Sequence, residues 1–168
     1  MDPVNEMHAA VITYFSAEKR ESLLFLMAGG AAIAASVWLW STGSSYRAMV
    51  WPLAGIAVIQ LVVGWTVWSR TDRQVRDLHT LLARDPAAYV STEVPRMEVV
   101  QKNFRIYKAI EIALLAAGLL GIFLLRDRPA LHAAAIGLIL QAGLMLAFDL
   151  VAERRADVYL DQVRRLLG

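Results

Sequence analysis

Four apolar runs, residues 22–40, 48–69, 109–125 and 129–148, constrain this chain more than any other feature. Glu111, in the third run, is the only Asp, Glu, Lys or Arg within them. A helix needs about 20 predominantly apolar residues to cross the hydrocarbon core of a bilayer. The runs therefore predict an all-α membrane protein with four transmembrane helices in two hairpins. The expected spans are 22–40, 48–69, 109–125 and 129–150. In a chain of 168 residues they leave little for a separate soluble fold, so a single four-helix membrane domain over 1–168 is expected.

The chain has no cysteine, which excludes disulfides, thiolate metal sites and dithiol redox chemistry. Polar residues including Asp2, Glu6, Glu18 and Glu21 precede the first run, unlike the basic segment of a signal peptide. That run is expected to be a retained span. No nucleophile elbow, Walker loop, dinucleotide fingerprint, HExxH or CxxC occurs. Acidic residues are interspersed with basic ones and no nucleic-acid-binding motif is present, so no nucleic-acid partner is expected.

The 17 basic residues divide sharply. Lys19 and Arg20 precede span 1, Arg154, Arg155, Arg164 and Arg165 follow span 4, and eight, from Arg70 to Lys108, lie between spans 2 and 3. Only Arg47, Arg126 and Arg128 fall on the other side. The positive-inside rule then puts both termini and the middle connection in the cytoplasm, in what is expected to be a bacterial inner membrane. Trp38, Trp40 and Trp51 fit an outer aromatic belt, and Trp65 and Trp68 an inner one.

The flanks 4–21, 71–83, 95–108 and 151–167 carry helical apolar stripes that run into the spans without a break. They predict a helical bundle beyond the membrane. Arg84, Asp85 and Pro86 are expected to stop the second helix, with Thr92 capping the third and Pro95 in its first turn. A faint repeat, Arg70 to Leu82 against Arg155 to Leu167, suits a duplicated hairpin, but any amphipathic helix end can give it.

Placed at 100° per residue, Glu18, Glu111 and Asp149 fall on inward stripes of three helices, with Glu153 one turn from Asp149. Tyr14, Tyr107 and Lys108 lie at similar heights, and Gln60 and Gln141 lie deeper. The four carboxylates are the candidate metal or cation site. Without histidine nearby, a divalent cation such as Mg2+, Ca2+ or Mn2+, or a proton, suits them better than zinc or copper. The simpler reading is a buried polar network that fixes helix register. A weaker constellation of His8, His79 and Glu98 suits a transition metal, with haem disfavoured. Two partly exposed histidines are its simpler reading.

Ala113, Ala117 and Gly121, and Ala133 and Gly137, have the small-x3-small spacing that permits close helix packing, within one bundle or across a homo-oligomer. Function is left between a non-catalytic scaffold or accessory subunit of a membrane complex and a cation- or metal-binding transporter or channel unit. A metal- or haem-dependent membrane enzyme is the third and least supported class. The lipid bilayer is the one partner that the composition itself demands.

Overall fold

The structure, a computed structural model, describes residues 3–167. Asp2 and Gly168 lie outside them. Four helices carry the fold: α1 (Pro3–Ser41), α2 (Val50–Arg84), α3 (Pro86–Leu124) and α4 (Pro129–Arg165). A single 3-10 turn, Arg47–Met49, leads into α2. At 1.5 Å per residue the helices are about 53–59 Å long, nearly twice the roughly 30 Å of a bilayer's hydrocarbon. All four are long and apolar enough to cross a membrane, and each must continue well beyond it. There are no strands among the described residues.

Local chemistry sets the ends. Gly43 adopts φ 62° just after α1, a left-handed turn that suits a residue without Cβ. Pro129 opens α4 from its first turn, where a missing N–H costs nothing. Between α2 and α3 there is only Asp85. Its backbone is extended, its N–H closes α2 on the Leu81 carbonyl at 2.9 Å, and its carboxylate caps α3 by accepting from the Ala88 N–H at 3.0 Å.

The expected start of α3 at Thr92 is therefore corrected: the helix begins at Pro86. Asp85 followed by proline is a stronger start signal than Thr92, because it supplies both the cap and the pre-set φ. Pro95 consequently lies inside α3, where it forfeits one backbone hydrogen bond at a cost of about 3 kcal/mol. Packing carries the helix through, since Glu93 and Met97 on either side are fully buried.

α1 packs along α2, and α3 along α4, as two antiparallel hairpins. The hairpins join mainly through α4. Near the turns that close each hairpin, α4 crosses α2. A Cβ on Gly137 would stand 3.1 Å from the Met49 carbonyl, so glycine is what allows that approach. Within α1–α2, a Cβ on Gly64 would reach 2.8 Å from the Ser22 carbonyl. Gln60 donates to Gln141 at 3.1 Å, and Gln141 donates to the Leu53 carbonyl at 3.3 Å. These two glutamines clip α2 to α4.

At the opposite, polar end the flanks form one core. Met7, Val11 and Phe15 of α1 meet Leu78 and Leu82 of α2, Met97 of α3, and Ala156 and Val163 of α4. In the apolar segments the pattern inverts. Met27, Val62, Leu120 and Phe123 are exposed, as lipid-facing residues must be when the tails are as apolar as the side chains. Trp38, Trp51 and Trp65 are exposed as well, consistent with aromatic belts.

Candidate ligand cleft and buried polar network

Two polar centres lie along the bundle axis, and they differ in whether their charges are satisfied. The first is in the polar core. Glu93 is 0% exposed, yet Arg96, one turn along α3, binds both its oxygens at 2.5 and 2.7 Å. The Tyr159 hydroxyl of α4 donates to Glu93 at 2.9 Å and shares a 2.7 Å hydrogen bond with Tyr89. Tyr14 stacks on Tyr159 with ring centroids 4.4 Å apart, and the Arg96 guanidinium lies 5.5 Å from the Phe15 ring centroid.

Burial, then the Glu93 charge, pushes the Tyr159 phenol well above its ordinary value. Burial likewise raises Tyr14 and Tyr89. All three remain protonated, which lets Tyr159 donate to Glu93. Burial works against the Arg96 charge, but the hydrogen bonds and charge of Glu93 outweigh it and raise Arg96. This is a closed network of charge-assisted bonds, the condition under which a buried ion pair is tolerated.

The second centre is a cleft of about 620 Å³ between the hairpins, walled by all four helices. On α2 its wall runs from Ile56 to Arg70 and on α3 from Val100 to Leu114, about 20 Å of helix each. Glu18, Glu111 and Asp149 all line it. They are strung along the cleft rather than gathered in one ring. Glu18 sits at the polar end with Arg70, 3.8 Å away. Phe25 of α1 packs on Phe148 at 5.2 Å, which puts Asp149 nearly two helical turns, about 9 Å, deeper than Glu18. Burial raises the Glu18 carboxyl above the usual range, with Arg70 opposing.

Glu21, which the sequence reading did not single out, also lines the cleft and pairs with Arg155. Both of its residue types were visible, but the pairing of α1 with α4 was not. Four carboxylates thus face two arginines. Glu111 and Asp149 are left over and lie close enough to interact directly. Among the described residues no salt bridge reaches either. Glu111 is 4% exposed, and neither carboxylate oxygen has a hydrogen-bond partner.

The other expected residues are dispersed. Glu153 is held by Lys108 at 2.5 and 2.7 Å and is not part of the cleft wall. Tyr107, expected to point inward, is 51% exposed on the rim. Three residues past Phe104, it stands at the edge of a stripe whose centre passes through Met97 and Glu111. Glu98 bonds to Arg164 at 2.8 Å. Among the described residues no three His, Asp or Glu side chains are grouped to hold a metal ion.

His8 and His79 do meet across α1 and α2. Their rings lie nearly parallel and meet edge to edge, with centroids 4.8 Å and Nδ1 atoms 2.5 Å apart. That geometry needs one nitrogen to donate and the other to accept, so at least one ring is neutral. Burial, then the neighbouring His8, lowers His79 below its ordinary value. A folded-state value below the unfolded one contributes stability that is present above about pH 6.5 and is lost as pH falls. Thermal melts from pH 8 to 5 should show that loss, and His79→Gln should flatten it. An unchanged pH profile in the variant would refute the coupling.

No protein-family model matches the chain, and comparison with curated proteins and with solved structures found no match.

Proposed function

We propose that this chain is a non-catalytic integral membrane protein that binds a cation, an ionised ligand or a proton, between its two hairpins, with Glu111 as principal acceptor and Asp149 beside it. The observation that carries this reading is the contrast between the two polar centres. A buried charge kept only for helix register is paired, as that of Glu93 is by Arg96 and Tyr159. Glu111 is nearly as buried, and no cation, hydroxyl or amide among the described residues reaches its oxygens, with only the like-charged Asp149 beside it. An intramembrane carboxylate without a partner is a functional residue by default.

The scaffold or accessory-subunit reading accounts for the polar bundle but not for Glu111. In the proposed setting the whole chain, 1–168, is one domain of a bacterial inner membrane with both termini cytoplasmic. A second copy or another membrane subunit would be needed to extend the cleft into a path across the bilayer. Reporter fusions after Gly43, Ala88, Asp127 and Gly168 test the orientation and should read out, in, out, in. An external C-terminus overturns it. Cation uptake is tested by equilibrium binding with Glu111→Gln as the comparison, and binding indifferent to that change refutes the site.

A further inference from the structure

We infer that the ligand of this cleft is an amphiphilic amine, a protonated nitrogen on an apolar body, rather than an inorganic ion. The inference rests on the cation site just proposed and names its ligand class.

Charge sets the sign of the ligand. At the polar end Arg70 and Arg155 answer Glu18 and Glu21. Deeper in, Glu111 and Asp149 face each other with no basic partner, and their repulsion calls for positive charge between them. Donor arithmetic fits an amine. A primary ammonium carries three N–H donors and no acceptor. The two oxygens of Glu111 and the nearby Asp149 carboxylate can take all three. Mg2+ or Ca2+ asks for six or more oxygen ligands, and no such cluster is present among the described residues.

Size and walls set the rest of the molecule. The cleft holds about 620 Å³, within the range of roughly 300–1,000 Å³ typical of small-molecule sites. An ion would leave most of it unfilled. Around and below the acids the walls are apolar: Ile56, Ile59, Val63, Leu114 and Met145. An aliphatic or aromatic body lying there meets walls as apolar as itself. The middle of the cleft thus suits a charged nitrogen, and its deep end a hydrocarbon.

The test is equilibrium binding of radiolabelled dodecylamine to the full chain in phosphatidylcholine nanodiscs, with empty discs subtracted. The expected result is saturable binding, with dodecanol failing to compete. Losing a charge-assisted hydrogen-bond partner should weaken it about ten- to a hundredfold in Glu111→Gln. Asp149→Asn gives a second, independent acid variant. Ile59→Trp, which fills the apolar wall, should also weaken amine binding at least tenfold, while Glu98→Gln should leave it unchanged. Discs containing phosphatidylethanolamine separate two sources of the same chemistry. Competition there assigns the amine to a lipid headgroup, and unaffected binding assigns it to a free amphiphile.

Saturable amine binding that survives both Glu111→Gln and Ile59→Trp would overturn the inference. Binding of 45Ca2+ or 22Na+ that depends on Glu111, without amine binding, would overturn it while leaving the cation site standing. If neither amine nor metal ion bound, the ligand class would fall. The proposed function would then rest on proton uptake alone, tested by comparing proton binding of wild type and Glu111→Gln.

Discussion

Arg96→Met should lower the stability of the fold by about 3–5 kcal/mol, the usual cost of stranding one member of a buried ion pair. The asymmetry of the pair supplies the reason. The Arg96 side chain is 27% exposed and keeps some contact with solvent, whereas that of Glu93 is 0% exposed. Removing the arginine leaves a carboxylate in the core with only the Tyr159 hydroxyl to meet it. Glu93→Gln should cost less, because the arginine left behind can turn outward. The double change Arg96→Met with Glu93→Leu should recover much of the loss, since a well-packed apolar pair of similar volume is often no worse than a buried ion pair. Denaturation midpoints in mild detergent for the two single variants and the double one would show this. Additive losses in the double variant would refute the coupling.

Glu111→Leu is expected to act in the opposite direction and raise stability, by about 1–3 kcal/mol, the ordinary penalty for a buried polar group without a partner. A carboxylate that destabilises its own fold persists where function needs it. The same denaturation measurement decides. If Glu111→Leu lowers stability by several kcal/mol, the residue is holding helices together and the ligand cleft loses its main support. The Arg96 and Glu111 results together distinguish a polar centre that stabilises the bundle from one that the bundle tolerates.

The membrane-spanning helices were legible because length against bilayer thickness is a coarse, strong constraint. The inward faces of α2 and α4 were legible for a similar reason. Thr71, Leu78 and Leu82 on α2, and Ala156, Tyr159 and Val163 on α4, repeat at helical spacing, and all are buried. α3 was harder to read. A start at Thr92 leaves Tyr89 outside the helix and puts Glu93 in its first turn. Glu93 and Arg96 three residues apart also resemble an ordinary surface pair. Only the tertiary placement of Tyr159 reveals them as core. The carboxylate set was legible in part. Periodicity puts a residue on a face but does not choose its neighbour, so Lys108 with Glu153 and Arg155 with Glu21 emerge only when the hairpins are packed.

The make-up of the polar core sets the order in which the molecule can be completed. Met7, Val11 and Phe15 near the start of α1 pack with Ala156, Tyr159 and Val163 near the end of α4. Each hairpin can enter the bilayer as its own pair of helices, but this core cannot close until the ribosome has released the last turns of α4. Until then the apolar stripe of the first helix is only partly covered, by Leu78 and Leu82 of α2 and Met97 of α3. A nascent chain stalled before Tyr159 would therefore be inserted but unlatched, open to proteases and chaperones that a finished chain would exclude.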